Sequence, residues 1–240
     1  MNIDVDMISN DVFIQKINEY LTDDHLDVIL FASTELLNQA VEDEEYRELI
    51  DRAELFLPGE EALLSAYHVD VLQAGGIVVS CNSFGMVLEN LLKQDRTIYI
   101  VGKSEAEIEN MQTYCKTMQP DLRVIGSYAY DQTWEDAAVI NEINSHTPDM
   151  LLVDLPTGVQ ESWIMEHESQ LNAKLCIAIG GVAGLILAQQ KEPPQWIRRL
   201  HLEKLYQRLV NEQTVKKDVR ARIFRKKVVQ YNNQIEEAVH

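Results

Sequence analysis

The sequence predicts an α/β fold with a mostly parallel sheet flanked by helices, followed by a helical C-terminal appendage. Three observations lead there. Short β-rich runs alternate with longer amphipathic segments, glycines follow several of the runs, and the alternation stops after Pro193-Pro194. Strands that alternate with helices need crossover connections, and crossovers between neighbours give a parallel sheet.

The elements follow in order. Asp27 to Ala32 is a β-rich run of apolar residues, and Thr34 to Ala53 reads as one helix. Thr34 can cap it, Leu36, Leu37, Ala40, Val41, Leu49, Ile50 and Ala53 form an apolar face, and the acidic run at 42–45 lies outside. Leu55 to Leu57 is a second strand, ended by Pro58-Gly59. Thr97 to Val101 is a buried strand closing on Gly102, and Ser104 with Glu107 spells a capping box for the next helix. Leu122 to Ile125 is a strand, Trp134 to Asn144 a helix, and Met150 to Leu155 a strand. Val159 to Leu171 is a helix, and Leu175 to Ile179 is the last strand, followed by Gly180-Gly181. Beyond it, Gln195 to Asn211 and Val215 to Glu237 read as helices with basic faces. The division is an α/β domain over 1–190 and a basic helical appendage over 191–240.

Charge supports the division. The chain of 240 residues carries a net charge of −18. Residues 191–240 hold 12 Lys and Arg against 6 Asp and Glu, so the total divides into +6 there and −24 over the first 190. An acidic body argues against duplex DNA as a ligand, and no nucleic-acid partner is expected. Apolar content of 46% and charged content of 25% exclude a disordered or collagen-like chain. The opening MNIDVDMISND has neither the basic nor the apolar region of a signal peptide. The longest apolar stretch, Leu175 to Ala188, is too short and too rich in glycine to span a bilayer. Cys81, Cys115 and Cys176 form no C-x-x-C pair and read as reduced thiols.

In an open parallel sheet, ligands bind beyond the carboxyl ends of the strands. That rule nominates the loops at Pro58-Gly59-Glu60-Glu61, Gly102-Lys103-Ser104, 156–161 and Gly180-Gly181. None of them spells a Walker A or a G-x-G-x-x-G motif. A plain strand–helix turn explains any one loop, whereas their convergence on one edge suggests a ligand crevice. Asp4-Val5-Asp6 has the D-x-D spelling of metal-using sugar transferases, but alternation places it on an opening strand far from the glycine loops. His25, His68, His146, His167 and His201 stand alone without ligand spacing, so no metal and no cofactor is expected. In the appendage, Arg198, Arg199, Lys204, Arg208, Lys216, Lys217, Arg220, Arg222, Arg225, Lys226 and Lys227 interleave with Trp196, Leu200, Leu205, Ile223 and Phe224. That pattern suits an anionic membrane surface, and equally a basic face packed on the acidic body or on a second subunit.

The order of these segments resembles the WecG/TagA/CpsF glycosyltransferase family, the N-acetylmannosaminyltransferases of teichoic-acid linkage units and related polysaccharides. Arg52 to Pro58 is similar to the family's "ADLVLPDG" segment, and Ile98 to Gly102 to its "VFLLG". Pro148 to Val153 is similar to "PDILFVGLG", and Gln160-Glu161 with Trp163-Ile164 to "PKQEKWI". Ile177 to Trp196 runs without gaps against the family's glycine-rich segment, keeping Gly180, Gly181, Pro194 and Trp196. The resemblance implies a Rossmann-like fold, a UDP-sugar donor, inverting transfer to a polyprenyl-diphosphate-linked acceptor, and no D-x-D metal site. It implies a nucleotide-sugar site at Gly102, Thr157, Gln160, Glu161, Gly180 and Gly181. It also implies a cytoplasmic protein, peripheral at the inner face of the plasma membrane, with the basic appendage toward the membrane.

Departures from the pattern fall on the reacting groups. The family's proposed base is the aspartate of "PDG", and Gly59 stands there. A threonine falls on Phe31, an arginine near Val78, and a further aspartate on Gly184. Inverting transfer needs a carboxylate for the acceptor proton and donors for the leaving diphosphate. Whether the chain is an enzyme therefore stays open. The expectation is a family member of cell-surface glycan assembly with impaired or lost catalysis, acting as a non-catalytic partner of another glycosyltransferase or as a binding member. The alternative is an active UDP-N-acetylhexosamine transferase in which Glu60 or Glu61 replaces the base. Interleaved apolar positions in the appendage also suit a homo-oligomer.

Overall fold

A computed structural model describes residues 3–22, 24–67, 76–130 and 135–188. The predicted appendage, with all its basic residues, lies outside them, as do His68, Trp134 and His201. The described elements run α1 (Asn10–Tyr20), β1 (Asp27–Ala32), α2 (Thr34–Glu42), α3 (Glu44–Ile50), β2 (Leu55–Pro58), α4 (Glu61–Ala66) and α5 (Ser80–Lys93). They continue β3 (Thr97–Gly102), α6 (Glu105–Met118), β4 (Arg123–Ala129), α7 (Asp136–His146), β5 (Met150–Asp154), α8 (Val159–His167), β6 (Leu175–Ala178) and α9 (Ala183–Ala188). A short 3-10 turn, Glu168–Gln170, follows α8.

The six strands form one sheet in the order β2-β1-β6-β5-β3-β4, and every neighbouring pair is parallel. β1, β2, β3, β5 and β6 are buried along their whole length, as strands covered by helices on both faces must be. One face packs Val28, Leu30, Tyr99, Val101, Leu151 and Val153 against α2, α3, α7 and α8. The other packs Ile29, Phe31, Ile98, Ile100, Leu152 and Ile177 against α1, α5, α6 and α9. Alternation along each strand feeds both cores. Crossovers leading toward the β2 edge pass over the first face, and those leading toward β4 pass over the second, so one hand serves them all.

The strand–helix alternation expected from the sequence is present, with local corrections. Thr34 to Ala53 is two helices. Asp43 is extended (φ −128°, ψ 111°), and its carboxylate accepts from the Tyr46 N–H at 3.0 Å, restarting the chain as α3. A capping residue in mid-pattern outweighed a continuous apolar face. α8 ends at His167 rather than Leu171, and β4 runs on to Ala129. Ser104 caps α6 by accepting from the Glu107 N–H at 3.4 Å. The segment around Asp4 and Asp6 is not a strand, although Ile3 and Val5 are buried. The Asp6 N–H donates to the Phe56 carbonyl at 2.7 Å, and the Asp6 carboxylate accepts from the Phe56 N–H at 2.8 Å. This segment therefore covers the outer edge of β2, which would otherwise offer unpaired backbone groups.

Candidate functional site

The loops leaving β1, β2, β3, β5 and β6 meet at the carboxyl edge of the sheet. Ser33 and Thr34 leave β1 and open α2, where the Ser33 hydroxyl accepts from the Leu36 N–H at 3.1 Å. Beside them, β2 ends at Pro58 and Gly59 turns the chain. The Gly59 N–H donates to the Ala32 carbonyl at 2.9 Å, and the Ser80 hydroxyl donates to the Gly59 carbonyl at 2.6 Å. A Cβ on Gly59 would stand 2.5 Å from the Ala32 carbonyl oxygen and 2.5 Å from Val182 Cγ1. A side chain at the position that lacks the expected carboxylate would force the turn or its neighbours to shift.

Glu60 and Glu61 take different environments. Glu60 stands at the N-cap of α4, yet its side chain turns away to the N-terminus of α2. Its carboxylate accepts from the Thr34 N–H at 3.1 Å and the Thr34 hydroxyl at 2.9 Å, and the residue is only 7% exposed. An anion there completes the unpaired donors of a helix start and opposes the helix dipole. Glu61 is exposed, and the Asn82 side-chain amide donates to its carboxylate at 3.3 Å.

The loops after β5 and β6 are joined by side chains. Gln160 Oε1 accepts from the Gly180 N–H at 2.8 Å, while Gln160 Nε2 donates to Glu161 at 2.5 Å. Glu161 is fully buried and also accepts from the Gly158 N–H at 2.6 Å. The buried Tyr46 phenol lies beside it. Desolvation first, then the Glu161 charge, hold that hydroxyl protonated far above its ordinary range. Gly180 packs against the Leu155 carbonyl so closely that a Cβ would overlap it. Gly181 lies between the Ser33 and Thr157 hydroxyls, and Thr157 is half-buried. Gly102 is packed on Ile108 of α6 and accepts from the Tyr130 N–H at 2.7 Å.

Lys103 stands on the loop that leaves β3, beside the end of β5. Its ammonium lies 2.9 Å from Asp154 Oδ1 and donates to the Gly180 carbonyl at 3.2 Å. Asp154 ends β5 and is 5% exposed. Among the described residues, Lys103 is the one Lys or Arg on a loop leaving a strand's carboxyl end. Arg96, Arg123 and Lys174 sit at the opposite edge.

The structure therefore brings Glu60, Glu61, Gly102, Thr157, Gln160, Glu161, Gly180 and Gly181 to one edge. It leaves Asp4 and Asp6 at the side of β2. His25 lies 3.5 Å from Asp27, His146 lies 3.8 Å from Glu142, and His167 lies 3.3 Å from Asp136, all away from the crevice. Among the described residues no three His, Cys, Asp or Glu side chains gather as a metal ion requires. No helix among them is long and apolar enough to cross a membrane. Sequence reasoning named Thr34 only as a helix cap, a role that Ser33 takes instead, named Lys103 only as part of a loop, and passed over Asp154. Lys103 had a signal, because it is the one basic residue in the nominated loops; Thr34 had none, since its partner lies 26 residues away.

Comparison with known proteins finds a family and relatives that match along most of the chain. The sequence profile described as the glycosyl transferase WecG/TagA/CpsF family matches residues 1–222. The chain is similar to the N-acetylglucosaminyldiphosphoundecaprenol N-acetyl-beta-D-mannosaminyltransferase of Staphylococcus aureus strain NCTC 8325. They are 22% identical over 210 residues, covering 88% of this chain and 82% of the relative. The protein of the same name from strain MRSA252 is 23% identical over the same shares.

Proposed function

The chain belongs to the WecG/TagA/CpsF glycosyltransferase family, and from that premise we propose that it serves cell-surface glycan assembly as a non-catalytic member. The observation that carries this reading is Gly59. Its backbone is packed on the Ala32 carbonyl and Val182 so tightly that a Cβ there would stand 2.5 Å from each. The absence of a carboxylate is thus accompanied by closure of the space it would need. Glu60 does not fill the role, because its carboxylate is held by Thr34. Loss of a positioned base lowers a rate by about 10²–10⁴-fold.

In this reading the crevice or an outer surface engages a partner glycosyltransferase. Residues 191–240, at +6, supply the attraction to anionic lipid at the cytoplasmic face. A second copy of the chain is a further partner for the apolar positions interleaved there. Glu61 favours a second reading. It is exposed on the rim with one side-chain amide as its hydrogen-bond partner, which leaves it able to take a proton from an acceptor hydroxyl.

One assay separates the two. The full chain is incubated with UDP-N-acetylmannosamine and N-acetylglucosaminyl-diphosphoundecaprenol, and UDP release is followed. No release above the rate without protein is the expected result. Acceptor-dependent release that disappears in Glu61→Gln would replace the first reading with the second.

A further inference from the structure

The carboxyl edge of the sheet contains one cation among the described residues, and an internal carboxylate is already on it. Lys103 leaves β3 with its side chain 29% exposed, and Asp154, with its side chain 7% exposed, ends the neighbouring β5. Their charged atoms are 2.9 Å apart. The ammonium also donates to the Gly180 carbonyl at 3.2 Å. The pair is neutral as a unit and stands in a body whose first 190 residues carry −24.

A nucleoside diphosphate brings two or more negative charges and needs cations or aligned N–H groups to hold them. To use Lys103 it must also come close to Asp154. That carboxylate cannot swing away freely, because it ends a buried central strand. The nearby α2 start is likewise occupied, since Glu60 sits on the Thr34 N–H and hydroxyl. Two anion-attracting features of the edge, Lys103 and the start of α2, therefore hold anions that belong to the protein.

We propose that Asp154 is a specificity-determining residue: as the fixed counter-ion of Lys103, it excludes diphosphate from the crevice of this chain. The crevice then favours ligands or protein segments without a dense negative charge. This inference deepens the non-catalytic reading and rests on it, since a transferase must seat its donor's diphosphate. At a separation of about 5 Å, a like charge weakens anion binding by roughly tenfold or more, even with strong solvent screening.

The test is calorimetric titration of the full chain with UDP, inorganic pyrophosphate and uridine. Asp154→Asn should tighten UDP and pyrophosphate by about tenfold or more and leave uridine unchanged. Lys103→Met in the otherwise native chain should weaken UDP and pyrophosphate by about tenfold and leave uridine unchanged, because it leaves the Asp154 charge uncompensated beside the ligand. Combining the two substitutions should abolish the gain. Asp154→Asn with no gain, or Lys103→Met with UDP affinity unchanged, overturns the proposal. Thermal melting checks each variant, and if Asp154→Asn does not fold, the Lys103→Met arm decides alone. These binding outcomes are independent of turnover. Acceptor-dependent UDP release by the native chain would defeat the non-catalytic reading, whereas the titrations address only the counter-ion.

Discussion

Gly59→Ala is the smallest perturbation that probes the closed turn after β2. The added methyl meets two neighbours at 2.5 Å, the Ala32 carbonyl oxygen and Val182 Cγ1, with the Ala32 carbonyl carbon at 3.1 Å. Neither neighbour yields easily. The Ala32 carbonyl is the acceptor for the Gly59 N–H at 2.9 Å, and Val182 is completely buried in the core formed with α5 and α9. Relief needs the turn to separate from β1, which stretches that hydrogen bond and the Ser80 contact to the Gly59 carbonyl at 2.6 Å. Forced overpacking of this kind costs about 1–3 kcal/mol. Weakening one backbone hydrogen bond adds about 1 kcal/mol. We expect a loss of about 2–4 kcal/mol, or roughly 4–16 °C in melting temperature for a chain of this size. Urea unfolding followed by tryptophan fluorescence and by circular dichroism gives the difference from two probes. A stability change within about 0.5 kcal/mol of zero would refute the reasoning. It would show that the turn has room, and that Gly59→Asp could restore a carboxylate without rearranging the edge.

Glu60→Ala removes the acceptor of the Thr34 N–H and hydroxyl and should destabilise the chain by about 2 kcal/mol, with Glu60→Gln losing less; urea midpoints compare them. At the opposite edge, burial works against ionisation of Asp149, but hydrogen bonds from Thr97 and Arg96 and the Arg96 charge together hold its carboxyl below the ordinary range. A depressed folded-state value stabilises above the unfolded value of about 4 and is lost as pH falls through the folded value. The stability gap between the native chain and Asp149→Asn should therefore be constant from about pH 5 to 8 and shrink below about pH 4, in urea titrations across that range. Of the three thiols, Cys81 is half-buried, Cys115 is pushed up to about 12 by burial, and Cys176 is raised further, first by burial and then by the Glu54 charge. A thiol reagent should consume one equivalent in the native chain and three in denaturant, and rapid loss of all three under native conditions would contradict the described core.

The parallel sheet was legible because five of its strands are short apolar runs closed by glycine, proline or a capping serine. β4 was read short. Its residues from Gly126 to Ala129 are half-buried on an edge, where the hydrophobic pattern is weak. α1 and α5 went unmarked, although each buries a regular apolar stripe through Phe13 and Ile17 or Phe84, Val87, Leu88 and Leu91. Their neighbourhoods mix polar and apolar residues, so the period is less visible than in a buried strand. The candidate loops were legible as glycine-bearing strand ends, but the partners of their side chains were not.

Some properties of this protein follow from the chain alone. Alternating periodicity sets the layered α/β architecture, since each period has one way to bury its apolar face. The uneven distribution of charge, +6 over residues 191–240 and −24 before them, is fixed by composition. So is the absence of an aspartate at position 59. Tertiary structure decided what the surviving groups do. Glu60 lies next to the missing base in sequence but is turned to Thr34, 26 residues earlier. Gln160 bridges to Gly180, 20 residues on, and Lys103 meets Asp154 only because β3 and β5 are neighbours in the sheet. Short-range patterns reflect local burial and backbone preference, whereas the use of a charge depends on which opposite charge or aligned N–H folding brings within about 3 Å.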